Sequence, residues 1–264
     1  SRTLEDRRGE ATLLNNISSV YHKLGKDDQA LEHLELSLLI CPELEDQAGQ
    51  GSTLQSIATL ASSKNDFPKA LSYLEQSIDL ARQTGNRMDE GIALNSIGEI
   101  HWLQGNHAQA LQVYKEALAI SQGLKDKESE SIILDNISRV YQGQGELDTA
   151  LEYAEQSLAL VQQINDRQGL GTTLNNIGTT YQAQGDKTTA LSYYTQALDI
   201  AKEIGDKTGE ATRSWNIGRL YQGQEAFRQA EPYLRQAVEL AEHLQAPELE
   251  QMRHTLEEVQ AQLG

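Results

Sequence analysis

Several residue types are scarce in this 264-residue chain, and each scarcity argues against a particular kind of structure. A single cysteine, Cys41, excludes an internal disulfide framework and suits a reducing compartment. Four prolines and an aromatic content of 5% leave little material for strands and turns, whereas alanine, leucine, glutamine and glutamate favour helices. No apolar run reaches the roughly 20 residues that cross a bilayer, and no signal peptide is recognisable. We therefore expect no membrane insertion and a cytoplasmic protein.

Basic residues are also in the minority. The chain has 22 lysines and arginines against 39 aspartates and glutamates, a formal charge of −17. Nucleic acids and anionic membranes bind basic surfaces, so this charge argues against both and favours a basic or neutral polypeptide partner. The six histidines and Cys41 form no HExxH or CxxC spacing, and no GxxxxGK[ST] loop is present. We expect no metal, no cofactor and no enzymatic activity.

What the chain does contain is a 40-residue period that runs without insertion or deletion. Two residue types mark it most clearly: Ala30, Ala70, Ala110, Ala150, Ala190 and Ala230, and Ile17, Ile57, Ile97, Ile137, Ile177 and Ile217. A fixed period of this length means stacked units, each of which buries its apolar face on its neighbours. The predicted units span residues 6–45, 46–85, 86–125, 126–165, 166–205 and 206–245.

Each unit is predicted to form two antiparallel helices. In the fifth unit Leu174, Ile177 and Tyr181 recur at helical spacing and define a first helix, helix A. Gly185 stands where a left-handed C-terminal cap belongs, and Asp186 can cap the next helix, helix B. Equivalent N-caps before each helix A are predicted at Asp6, Asp46, Asn86, Asp126, Asp166 and Asp206. The C-terminal glycine recurs in four units, Asn65 tolerates the same conformation, and Glu225 predicts a looser turn.

The order of large apolar, small and aromatic residues resembles the tetratricopeptide repeat (TPR) family. The matching residues of the fifth unit are Leu174, Ile177, Gly178, Tyr181, Ala190, Tyr194 and Ala197. The resemblance covers residues 6–245, and its 40-residue form is similar to Pins/LGN-type scaffolds, kinesin light chain and bacterial regulatory TPR proteins. It implies an all-α, right-handed superhelical solenoid of six helix pairs, with the A helices lining a concave groove.

The two ends of the chain depart from the period. Residues 246–264 carry apolar residues at spacings of three and four and predict a C-terminal capping helix. Residues 1–5 align with the end of the first unit, because Leu4 is equivalent to Leu44. This predicts the tail of a preceding repeat helix and a longer parent protein. A vector-derived residue could account for Ser1 but not for the match at Leu4.

The groove positions that the resemblance implies are rich in carboxamides. The candidate peptide-binding residues are Asn15, Asn16, Asn95, Trp102, Asp135, Asn136, Arg139, Gln142, Asn175, Asn176, Gln182, Trp215, Asn216, Arg219 and Gln222. Also on this face by the same alignment are Ser62, Ser96 and Glu99. Amides both donate and accept hydrogen bonds, as a peptide backbone requires. The alternative is a ladder of amides that ties each repeat to the next, and the two roles are compatible.

Two other groups of groove residues each have a functional and a structural interpretation. Arg139 and Arg219 could pair with ligand carboxylates, or Arg139 could pair with Asp135 four residues before it. Trp102 and Trp215 could cover part of a ligand, or they could pack on a neighbouring repeat.

These patterns support three hypotheses of function. The first is a noncatalytic protein-interaction scaffold that binds a peptide segment in the concave groove, as in cytoplasmic signalling. The second is an intramolecular regulatory or sensor module that controls an effector domain of a larger bacterial protein. The third is a homo-oligomerising structural element.

Overall fold

The computed structural model describes residues 2–40 and 47–264, and every regular element in these ranges is an α-helix. The helices are α1 (Arg2–Lys23), α2 (Asp27–Ile40), α3 (Gln47–Ser63), α4 (Phe67–Thr84), α5 (Arg87–Leu103), α6 (His107–Leu124), α7 (Lys127–Gln144), α8 (Leu147–Gln163), α9 (Arg167–Gln184), α10 (Lys187–Ile204), α11 (Lys207–Gln222), α12 (Phe227–Leu244) and α13 (Leu249–Ala261). The predicted all-α architecture is confirmed. Within the described ranges, none of these helices combines the length and apolar content needed to span a bilayer.

Consecutive helices pack as pairs, one pair for each sequence repeat. The A helices are α1, α3, α5, α7, α9 and α11, and each is followed by its B helix. The chain divides into two compact units, one up to Ser129 and one from Glu130. Within the first unit α1 packs on α2, α3 on α4 and α5 on α6, and neighbouring A helices also touch. Within the second, α9 packs on α10, α11 on α12, and α13 on α12, while α9 touches α11.

The helix ends follow the sequence closely. Asn86, Asp166 and Asp206 each accept a hydrogen bond from the backbone N–H three residues later, as an N-cap does. Glycines with positive φ end helices at the predicted places, with Gly185 at φ 87°. Glu225 also adopts the left-handed conformation, at φ 56°, but α11 already ends at Gln222, whereas α9 continues to Gln184 next to Gly185, so the turn at Glu225 is longer. Its turn is closed by the same pattern of backbone hydrogen bonds as the glycine turns.

The structure also bears on several particular positions. Helix α1 runs without a break from Arg2 to Lys23, so Asp6 lies inside a helix and does not precede one. The assignment of residues 1–5 to a preceding repeat stays a prediction. The roles suggested for Cys41 and Asp46 fall outside the described residues. Pro232 lies beyond the first turn of α12, and the helix continues through it to Leu244.

Small residues on each A helix accommodate a larger side chain from its B helix. A Cβ atom placed on Gly178 would lie 2.8 Å from the ring of Tyr194, which is fully buried. Gly98 faces Tyr114 in the same way, at 2.6 Å. The pairing explains why these two positions require glycine, since the ring fills the volume that a methyl group would occupy.

Replacing Gly178 with alanine should therefore destabilise the fold. Overpacking against the Tyr194 ring outweighs the gain in helix propensity, and we expect a loss of about 2 kcal/mol in the free energy of unfolding. Urea unfolding followed by circular dichroism measures it. Gly123→Ala is the matched control, because a Cβ atom there meets no atom within 4 Å. The control should be neutral or stabilising by at most about 1 kcal/mol. Equal loss in both variants would contradict the packing argument.

Candidate functional site

The A helices carry two adjacent rows of polar side chains, which we call the inner row and the outer row. The inner row is Asn15, Gln55, Asn95, Asp135, Asn175 and Trp215, and the outer row is Asn16, Ser56, Ser96, Asn136, Asn176 and Asn216. Most of these side chains are half-buried, whereas Asn16 is exposed and Asp135 is buried. We refer to the surface formed by the A helices within each unit as the A face.

Several inner-row side chains join successive repeats. Asn15 donates from Nδ2 to Thr53 Oγ1 on the next A helix, at 3.0 Å. Asn216 Nδ2 donates in the same way to Asn175 Oδ1 on the preceding A helix, at 2.8 Å. Hydrogen bonds between side chains on neighbouring helices fix one repeat against the next. The ladder proposed as an alternative is therefore present at these positions, and the amides involved are already partly satisfied within the protein.

Asp135 is the most buried member of the inner row, with 8% of its surface exposed. Its Oδ2 accepts a hydrogen bond of 2.6 Å from Thr173 Oγ1, and its Oδ1 lies buried without a hydrogen-bond partner among the described atoms. Burial raises the pKa of the Asp135 carboxyl to about 6, while Thr173, Ser157, Asn176 and the Arg139 charge oppose the shift in part. Asp135 thus lies beneath the A face, where it contacts the neighbouring repeat.

Side chains farther along the A helices of the second unit form a more open layer. Arg139 donates to Asn136 Oδ1 at 3.1 Å. The hydroxyl of Tyr194 reaches Thr179 Oγ1 at 3.1 Å and Gln182 Oε1 at 2.9 Å. Gln182 is nevertheless exposed. We call this layer, which includes Arg139, Thr179, Gln182 and Arg219, the open layer. It offers donors and acceptors to solvent, unlike the inner row beneath it.

The end of the A face in the second unit combines an aromatic ring with a cation. Trp215 is half-buried and packs against a cluster of Ala230, Leu234 and Val259, to which α12 and α13 both contribute. The guanidinium carbon of Arg219 lies 5.7 Å from the centre of the ring, within cation–π range. Packing on a neighbouring element is therefore part of the role of Trp215, while Arg219 remains exposed.

A cavity of about 240 Å³ opens on the A face of the first unit, between α3 and α5. It is lined by Ala58, Thr59, Ser62, Ser63, Leu74, Ser96, Glu99, Ile100 and Leu103. Ser62, Ser96 and Glu99 were placed on this face by the sequence, and the structure brings them together. The others were missed. The signal that could have indicated them is Leu74, which stands where the third and fifth repeats have Tyr114 and Tyr194.

Stacked helix pairs with a polar A face define a helical-repeat protein. The family model described as tetratricopeptide repeat matches residues 9–83, 89–163 and 169–243. The chain belongs to the tetratricopeptide repeat family, as its sequence pattern predicts. Comparison with curated proteins gives no significant match.

Solved structures with low sequence identity share the fold. A signal transduction ATPase with numerous domains (STAND), with a tetratricopeptide repeat sensor, from Pyrococcus horikoshii aligns over 100% of this chain and 40% of its own, with TM-score 0.74 and 15% identity. A Rap protein complexed with competence and sporulation factor aligns over 96% and 76%, with TM-score 0.71 and 15% identity. The TPR-like repeats of a putative kinesin light chain from Podosopora anserina align over 74% and 96%, with TM-score 0.59 and 17% identity.

The raised pKa of Asp135 predicts a pH-dependent effect of Asp135→Asn. Between the ordinary value of 3.8 and about 6, the folded chain keeps a proton that the unfolded chain has released. Stability contributed by Asp135 therefore falls as pH rises through this window, and above it a buried charge remains. We expect the variant to be more stable than the unmodified protein by up to about 3 kcal/mol at pH 7.5 and to lose this advantage by pH 4.

Urea unfolding at the two pH values measures this difference. Asp199→Asn, at an exposed position on α10, is the control and should show no such change. A difference between Asp135→Asn and the unmodified protein that stays constant from pH 4 to pH 7.5 would show that the carboxyl is not perturbed.

Proposed function

We propose that the chain is a noncatalytic scaffold that binds an extended peptide segment of a partner protein on the A face. TPR arrays act in protein–protein interaction, and the observation that carries the finer proposal is the division of polar side chains into two layers. Inner-row Asn15 and Asn175 are engaged in joining repeats, the first by its bond to Thr53 and the second by a bond from outer-row Asn216. In the open layer Gln182 bonds to Tyr194 of its own repeat and Arg219 to Gln222 of its own helix, whereas Gln142 donates to Thr180 of the next repeat.

The chemistry of the open layer suits a peptide backbone. Carboxamides donate and accept, as peptide N–H and C=O groups require. Guanidinium groups such as that of Arg219 can add a bidentate contact to a carboxylate at one point. The net charge of −17 favours a partner that is basic or neutral elsewhere. The Rap protein complexed with competence and sporulation factor supports the proposal, because a related fold there holds a bound factor.

A second candidate is that the same face binds another domain of a longer parent protein. The STAND protein favours it, since a tetratricopeptide repeat sensor is there part of a larger signalling protein. In both cases the A face is the binding surface, and the two differ in whether a separate peptide is sufficient.

Selection of peptides from a displayed library of random 12-residue sequences tests the proposal. We expect the unmodified protein to enrich related sequences, whose synthetic versions are then titrated by fluorescence anisotropy. The double variant Gln182→Ala/Arg219→Ala should bind them about tenfold more weakly, as expected for the loss of two central polar contacts. Its matched control is Gln196→Ala/Arg228→Ala, which removes the same residue types from exposed positions on B helices.

Each result bears on the proposal directly. Loss of affinity in the A-face variant and not in the control supports it, provided that both variants keep the helicity and melting temperature of the unmodified protein. Equal affinities in the two variants would refute the assignment to these residues. Absence of any enriched sequence would favour the second candidate.

A further inference from the structure

The cavity on the A face of the first unit lies beside a register position that differs among the repeats, with leucine at Leu34, Leu74 and Leu234, alanine at Ala154, and tyrosine at Tyr114 and Tyr194. In the fifth repeat Tyr194 fills the space behind the A helix, and its hydroxyl reaches Thr179 at 3.1 Å. The equivalent residues of the second repeat are Leu74 and Thr59. A leucine is shorter than a tyrosine and has no hydroxyl, so it leaves the outer part of this space unfilled. The open volume of about 240 Å³ lies there, in contact with both Leu74 and Thr59.

The polar atoms around the cavity are available mainly as hydrogen-bond acceptors. The hydroxyls of Thr59, Ser63 and Ser96 each donate to a backbone carbonyl of their own helix, at 3.0, 2.8 and 3.1 Å. Each of these three hydroxyl hydrogens is thus already used, and the oxygen lone pairs remain, while the hydroxyl of Ser62, which also lines the cavity, can donate or accept. Glu99 adds an exposed carboxylate, which only accepts when ionised. Most of this wall therefore favours a group that donates hydrogen bonds, and the carboxylate favours a positive charge.

The inner part of the cavity is apolar. The buried residues Ala58, Leu74 and Ile100 line it with methyl and methylene groups, and the more exposed Leu103 adds to the apolar lining. A side chain that enters must therefore have an apolar stem before its donating end. Lysine and arginine have this construction, because their stems pack on apolar surface while the charged end stays at the polar rim.

We propose that this cavity is a specificity pocket for a lysine or arginine side chain of a peptide bound on the A face of the first unit, with Glu99 as its charge partner. The proposal rests on the proposed function and adds the chemical class of one residue in the ligand. The acidic character of the chain, at −17, agrees with a basic contact, and it disfavours an acidic residue at this place.

The test uses the peptides selected on the unmodified protein. We expect one position in the enriched sequences to be basic. Replacing that residue with norleucine, which keeps an apolar stem without the charge, should weaken binding about fivefold to tenfold. Exchanging lysine and arginine at this position shows whether the pocket prefers an ammonium group or a planar guanidinium group.

Two protein variants connect the basic residue to the cavity. Glu99→Gln keeps the shape and removes the charge, so it should weaken the basic peptide about fivefold and leave the norleucine peptide unchanged. Glu75→Gln, at an exposed position on the B helix α4, is the control and should alter neither peptide. The double variant Ala58→Gly/Leu74→Tyr reproduces the Gly98–Tyr114 pair and fills the cavity from within. It should weaken both peptides at least fivefold.

The outcomes separate this proposal from the one on which it rests. The pocket would be overturned, and the scaffold left in place, if the enriched peptides have no basic position. The same holds if Glu99→Gln and Glu75→Gln change the affinity for the basic peptide equally. Unchanged binding to the filled-cavity variant, with its melting transition intact, would also overturn it. A library that yields no peptide at all overturns both. Selective loss with Glu99→Gln establishes the pocket.

Discussion

The structure depends on close contact between the two helices of each repeat. One alanine of every B helix is fully buried in that contact: Ala30, Ala70, Ala110, Ala150, Ala190 and Ala230. A methyl group at this position lets the helices approach closely, and facing residues such as Gly178 leave room for a ring such as that of Tyr194. Because the interior is close-packed, a larger residue at either place would force the helices apart. An insertion would rotate the apolar face away from its partner, which explains the constant 40-residue period.

Polar contacts between repeats form a second constraint, and they complicate any assignment of function from sequence. Asn15, Asn175 and Asn216 join neighbouring A helices by side-chain hydrogen bonds, so their presence on the A face does not by itself indicate a ligand. Asp135 also contacts the neighbouring repeat, and its burial carries a larger desolvation cost, because the carboxyl is removed from water and its pKa is raised. Hydrogen bonding to Thr173 offsets part of the desolvation. The exposed layer that includes Gln182 and Arg219 is the surface on which we propose that a partner binds.

Interactions between residues close in sequence were sufficient to predict where most of the helices begin and end. The caps at Asn86, Asp166 and Asp206 depend on one side chain and the adjacent backbone, so the sequence was sufficient to identify them. At Glu225 the missing glycine indicated a departure from the pattern, and α11 does end early there, at Gln222, although the surrounding backbone hydrogen bonds hold the glutamate in the left-handed conformation. Trp215 was recognised as an A-face residue, but its contact with the cluster that includes Val259 of α13 depends on residues far along the chain.

The sequence by itself therefore determined the repeat, its helices, its family and the face that carries the polar side chains, because each follows from periodicity and from interactions between near neighbours. Only the tertiary structure decided which of those side chains are engaged in joining repeats and which are exposed. It also decided where the A face opens into a cavity. Residues of α3, α4 and α5 line that opening together, so no single stretch of sequence contains it.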